Sequence, residues 1–314
     1  KQACCGECSK MLAQGHGKKK MKLAAKKNNV VAVTTPNLTF KIDRSTGLIS
    51  EYAYNGKSLL GEGGTLKPNF WRAPTDNDMG AGLQKKFKAW KNPQMNLKNI
   101  EVKKNKKTNS VTILTSFDMP EVQGQMDITY VVFANTGAVK VTEDFKATEG
   151  AKVSDMFRFG MLMQMPYTME KSNYYGRGPI ENYSDRKDCM RIGVYTDDAD
   201  NQYFPYIRPQ ESGTKSDIRW WKQTDATGLG LQVKSCTPFY ASAIHFDTEE
   251  LDDGDDKEQR HSFDLKKSKY ANLFLDAAHM GVGGENSWGA WPLEKYRVHY
   301  GNKTFNFVLI PQTK

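Results

Sequence analysis

Leu38-Thr39-Phe40-Lys41-Ile42 alternates apolar and polar side chains, and Arg44-Ser45-Thr46-Gly47 follows with turn residues. Alternation with period two marks a strand with one buried face. Gly47 stands where such a turn asks for positive φ. Leu48–Tyr54 resumes the β texture, and Asn55-Gly56, a strong hairpin signal, ends it. The stretch reads as strand, turn, strand, turn, with no helical period in it.

The same texture extends to the end of the chain. Ser110–Phe117, Met126–Phe133, Ala138–Phe145 and Ser154–Gln164 read as strands, as do Arg191–Tyr195, Gly228–Val233, Ala241–Phe246, Tyr270–Asp276 and Thr304–Ile310. The best helical candidate is short, Leu83–Trp90, with Phe87 and Trp90 three apart. Many strands and very little helix predict an all-β fold, a large antiparallel sandwich or barrel. Residues 1–29 are poor in aromatic residues and rich in Lys, Gly and Gln, and read as a linker or poorly ordered tail. Nothing after residue 30 marks a second core or a repeat, so 30–314 is expected to be one unit.

The 314 residues are 38% hydrophobic and 26% charged, and 15 Phe, 14 Tyr and 6 Trp exclude a wholly disordered chain. No apolar run reaches the length of a transmembrane helix, and no signal-peptide pattern opens the chain. The first residue is Lys1, so the chain reads as a fragment and its cellular location is left open. The net charge of +9 is local. Residues 1–28 carry eight Lys against one Glu, Lys85–Lys107 nine Lys against one Glu, and Asp247–Glu258 eight acids against one Lys. Two basic patches without interleaved aromatic residues do not make a nucleic-acid groove.

Metal and redox motifs are weak. Cys5-Gly-Glu-Cys8 has no second pair at zinc-finger spacing, and the five His are scattered. Asp252-Asp-Gly-Asp-Asp256 is half a calcium loop and is read as a solvated acidic turn. Six Met between Met156 and Met190 read as core filler. Asp76 and Asp78 flank Asn77; in an extended chain both would share one face, as an acid pair or a cation site. The favoured reading is that these side chains hold the loop through backbone amides. Gly80 and Gly82, followed by the mutually repelling Lys85, Lys86 and Lys88, predict a mobile loop over Asp76–Phe87. Arg186 with Asp185 or Glu181 can pin a polar loop or contact a sugar, and Arg208, Glu211 and Arg219 allow the same two readings. Trp220 and Trp221 face opposite ways in a strand, so at least one belongs to the core.

Four strings break the alternation and concentrate polar, aromatic and Gly residues: Asn69-Phe-Trp-Arg-Ala-Pro-Thr-Asp-Asn-Asp-Met-Gly80, Tyr174-Tyr-Gly-Arg-Gly-Pro-Ile-Glu-Asn-Tyr-Ser-Asp-Arg186, Tyr206-Ile-Arg-Pro-Gln-Glu-Ser-Gly213 and His279-Met-Gly-Val-Gly-Gly-Glu-Asn-Ser-Trp288. In kind and order they resemble strings in the C-terminal domain of the family 2 glycoside hydrolases, specifically the β-galactosidases, from about Asn37 to Gln312. The resemblance implies a galactose-mutarotase-like supersandwich that completes the substrate pocket of a retaining β-galactosidase. It also implies that the two catalytic glutamates sit in a preceding TIM barrel, which this chain lacks, so no catalytic residue is assigned and the chain alone should be inactive. Trp288 is expected to reach the barrel's active site as a sugar platform. Arg72, Asp76, Asn77, Asp78, Glu181, Asn182, Arg186 and Asn286 are expected to line the pocket or support its loops. The expected partners are a β-galactoside or other sugar and the rest of the enzyme chain, with no nucleic acid and no membrane. No cofactor is assigned firmly to this chain; a divalent cation (Mg or Ca) and Na are plausible in the parent, with Asp76 and Asp78 as weak ligand candidates. A freestanding carbohydrate-binding or epimerase-like protein of the same fold is the alternative, although no His here lies in a string known from aldose epimerases.

Overall fold

The computed structural model describes residues 19–25, 29–258, 260–286 and 289–313. Its strands are β1 (Lys22–Ala24), β2 (Val30–Thr34), β3 (Leu38–Asp43), β4 (Ile49–Tyr54), β5 (Lys57–Ser58), β6 (Leu66–Asn69), β7 (Asn96–Asn105), β8 (Ser110–Met119) and β9 (Gly124–Phe133). They continue with β10 (Val139–Ala147), β11 (Arg158–Pro166), β12 (Lys171–Gly178), β13 (Arg191–Asp198), β14 (Lys215–Thr224), β15 (Gly230–Ile244), β16 (Tyr270–His279) and β17 (Lys303–Gln312). The first five form a small sheet in sequence order; the other twelve form one large sheet along β13-β12-β14-β15-β17-β10-β9-β8-β7, with β16, β11 and β6 branching from β15. Every pairing is antiparallel.

The alternation of Leu38, Phe40 and Ile42 buries all three, while Thr39, Lys41 and Asp43 stay half-buried. The Phe40 ring meets Tyr52 of the small sheet at 5.6 Å and Tyr130 of the large one at 5.9 Å, so one core joins the two sheets. The Tyr52 hydroxyl donates to the Gly137 carbonyl at 2.8 Å. Gly47 has φ +71°, and a Cβ there would fall 2.8 Å from Phe117. Asn55 and Gly56 both have positive φ, as a two-residue hairpin turn of primed type requires.

Several expectations shift. Residues 22–24, inside the expected tail, form the edge strand β1, because Met21 and Leu23 pack on the core and Arg44 donates to the Ala25 carbonyl. Two expected strands fuse into the 15-residue β15. The expected helix over Leu83–Trp90 splits into a turn, Leu83–Lys86, and a 3-10 turn, Lys88–Trp90, with Leu83, Phe87 and Trp90 buried. Those anchors, with the Gln84 side chain donating to the Asp255 carbonyl at 3.0 Å, tie down the segment expected to be mobile. Its lysines do not stand alone: Lys85 pairs with Asp256, Lys88 with Asp255 and Lys91 with Asp252, so the basic and acidic runs neutralise one another. Met156, Met161, Met163, Met165 and Met169 are buried, and Met190 is not. Trp221 is core and Trp220 lies on the outer face.

The two ends of the large sheet differ. β7 carries Lys98, Lys103 and Lys104 on an otherwise open edge, a charge pattern that discourages strand addition. β13, at the other end, turns Ile192 and Val194 outward beside Tyr175, all at least 37% exposed. Inside the sandwich one core position is an acid. Glu143 on β10 is fully buried with no hydrogen bond to either carboxyl oxygen, and the Tyr130 hydroxyl is likewise unpartnered.

Candidate functional site

The four strings run into the loops that follow β6, β12 and β16 and that precede β14, with Tyr174–Gly178 of the second string still in β12. In the first, Thr75 caps a helical turn, Asp76–Gly80: its side chain accepts from the Asp78 amide, and Asp78 accepts from the Thr75 amide at 2.8 Å. A helical turn, not an extended segment, carries Asp76 and Asp78, so the two carboxylates diverge instead of sharing a face. Asp78 is buried in a two-pronged pair with Arg72, at 3.0 and 2.8 Å. Arg72 spends its other donors on the Met280 and Gly281 carbonyls, at 2.7 and 2.9 Å. One buried guanidinium thus clamps the first string to the fourth. Asn77 adds a bond to the Val282 carbonyl at 3.0 Å.

Asp76 points the other way, to Arg208 at 2.9 Å and Gln210 at 3.0 Å. Burial raises its pKa, but the Arg208 and Gln210 bonds outweigh that and hold the carboxyl below its ordinary value. Asp78 is paired with Arg72 alone, whereas Asp76 shares Arg208 with Asp253, so the two carboxylates face different partners and do not form an acid pair. Among the described residues no three His, Cys, Asp or Glu side chains converge as a metal site.

The second string docks through Asn182, which is fully buried, donates to the Arg177 and Ile180 carbonyls and accepts from Ser216. Asp185 accepts from the Val282 and Gly283 amides at 3.1 and 2.9 Å. Gly281 permits that approach, since a Cβ on it would lie 2.4 Å from an Asp185 oxygen. Glu181 accepts from Arg186 at 2.5 Å, from the Tyr206 hydroxyl and from the Gly213 amide. Burial, reinforced by Glu181, raises the Tyr206 hydroxyl pKa. Below these loops Arg158 pairs with Asp276 at 2.6 Å and reaches Glu211 at 3.5 Å. Burial dominates the Asp276 carboxyl, Arg158 opposes it, and the result is a pKa raised to about 6.

Between the loops lies a cleft of about 140 Å3 lined by Thr75, Asp76, Asn77, Arg186, Tyr206 and Glu211, among others. Of the expected site residues, Asp76, Asn77 and Arg186 line it, Glu181 braces its wall, and Arg72, Asp78 and Asn182 are buried supports. Asn286 is exposed on the fourth loop. Trp288 lies outside the described residues; a Cβ on its neighbour Gly289 would sit 3.2 Å from the Gly80 carbonyl. Arg219 stays away from the cleft, over the Tyr175 ring. Thr75, Tyr206 and Gln210 were not singled out from sequence, although all three stand in the quoted strings. The arrangement offers acceptors, donors and an aromatic edge, which suits a polar ligand.

The family model for the beta-galactosidase small chain matches residues 34–309. The β-galactosidase of Priestia megaterium is 30% identical over 283 residues, covering 90% of this chain and 26% of that protein. That of Lactobacillus delbrueckii subsp. bulgaricus is 33% identical over 222 residues, covering 70% of this chain and 21% of that protein. Among solved structures, a galactose mutarotase related enzyme from Lactobacillus acidophilus aligns with a TM-score of 0.46 at 8% identity, over 90% of this chain and 97% of that one. The chain spans about a quarter of the length of the curated relatives it matches. It belongs to the β-galactosidase small-chain family.

Proposed function

We propose that this chain is the C-terminal part of a family 2, retaining β-galactosidase that releases terminal non-reducing β-D-galactose. Its loop cluster completes the substrate pocket of a catalytic barrel carried by another part of the enzyme. The observation that supports this most is the gathering of all four family-like strings around one cleft, in a chain matched almost end to end by the small-chain model. A retaining glycosidase needs two carboxylates about 5 Å apart, one free to act as acid and base. Asp76 here is held as a carboxylate by Arg208, and Glu211 is tied to Tyr183, Thr214 and Arg158. The cleft is therefore read as a binding wall, and Trp288 keeps the role the resemblance implies, a sugar platform reaching the barrel's active site.

A hybrid tests the reading. The matching C-terminal quarter of the Priestia megaterium relative is replaced by this chain and assayed on a chromogenic galactoside. The hybrid should turn over, the truncated relative should not, and the 314-residue chain alone should be inactive. Turnover by the isolated chain, or full activity in the truncated relative, would refute it.

A further inference from the structure

A second cleft, of about 430 Å3, lies behind the wall of the first. Glu181, Arg186 and Tyr206, bonded to one another, form the partition: Arg186 and Tyr206 face both clefts. On the far side stands Lys215, 1% exposed, which lines the cleft and gives one of its three donors to Asp197 at 3.2 Å. Asp197 is itself braced by the Asn201 amide at 2.8 Å. Phe204, 55% exposed, packs its ring 4.6 Å from that of Tyr206 and gives the cleft an aromatic wall.

We infer that this second cleft binds a neutral sugar, one or two rings in size. The two cations, Lys215 and Arg186, are balanced by Asp197 and Glu181, so neither an anion nor a cation is favoured. Fixed donors and acceptors set beside an aromatic face match a ring that carries hydroxyls on its rim and C–H bonds on its face. Burying an ammonium in a cleft wall is costly, and a ligand hydroxyl that accepts from it offsets part of that cost. A sugar bound here by the 314-residue chain owes nothing to a catalytic barrel, so the hybrid experiment can fail without touching this assignment.

Saturation-transfer NMR and titration calorimetry with galactose, glucose and lactose on the 314-residue chain test it. Binding with a dissociation constant of about 1 mM is expected. Phe204→Ala, at an exposed position, should weaken it about tenfold, the equivalent of about 1.4 kcal/mol; Lys215→Met should abolish it. Should Lys215→Met fail to fold, Cys189 serves instead: it lies at the cleft and is exposed, and sugar should slow its alkylation but not that of Cys236, read by peptide mass spectrometry. No saturation transfer, unaltered binding in Phe204→Ala, or an unprotected Cys189 would overturn the assignment. Displacement of the sugar by inorganic phosphate would overturn the neutral ligand class.

Discussion

Glu143 should make the protein less stable as pH rises, and Glu143→Leu should remove that dependence. The carboxyl is fully buried, neither oxygen has a partner, and the charge that acts on it, that of Asp276, is also an acid's. Burial first, and the Asp276 charge second, hold its pKa well above the ordinary 4.5. A carboxyl whose folded pKa exceeds its unfolded one contributes stability that is fully present below the unfolded value. That contribution is lost as pH climbs from about 4.5 toward the folded value. Within that window the loss runs at about 1.4 kcal/mol per pH unit, so two units withdraw roughly 3 kcal/mol. Asp276, with its pKa near 6, adds a slope of the same sign below that pH. His279 acts oppositely. Burial, with Arg158 and Arg72 adding to it, holds the ring well below 6.5, so stability is lost as pH falls through that region. Urea denaturation from pH 5 to 8 reads the balance, urea being uncharged. Glu143→Leu should overtake the parent above the unfolded pKa and gain on it steadily. Glu143→Gln should flatten the slope too, while paying about 1–3 kcal/mol for a buried amide without partners. Parallel stability curves for the parent and Glu143→Leu would refute the reasoning.

Other substitutions probe the loop end. Arg158→Met strands the buried Asp276 carboxyl and should cost about 3–5 kcal/mol by urea denaturation. Gly281→Ala drives a methyl into Asp185, which then loses the Val282 and Gly283 amides; a loss of about 1–3 kcal/mol is expected from such crowding. Trp288→Ala in the active hybrid should weaken lactose cleavage by about 1–3 kcal/mol, from the apolar area lost, and aryl-galactoside cleavage less. An unchanged lactose-to-aryl ratio with a lowered melting temperature would make Trp288 a packing residue.

Strands that carry one buried face were legible, as Leu38–Ile42 shows, because burial writes its period directly into the residues. β7 was hidden for the opposite reason: its lysines serve an edge, and their charge masks the alternation of Ile100 and Val102. The turn Asp76–Gly80 was missed because a five-residue helix has too little length to show a period. Its Thr75 and Asp78 were nevertheless a capping signal. The four strings stood out from the sequence, but their wiring did not. Arg158 meets Asp276 across 118 residues and Arg72 meets Met280 across 208, and no local pattern specifies such partners. Nor could alternation flag Glu143, which occupies an inward position that the period assigns to an apolar side chain.

The unequal ends of the large sheet also bear on how the chain would self-associate. Joining β13 of one molecule to β7 of the next would set a lysine-lined strand against Ile192 and Val194, a poor match in charge and shape. Joining β13 to β13 of a second copy would instead use the same strand twice. Such a contact is two-fold and exhausts itself at a pair, whereas head-to-tail stacking would run on into a filament. The lysines of β7 thus disfavour head-to-tail growth of the sheet, and salt that screens them weakens that bar.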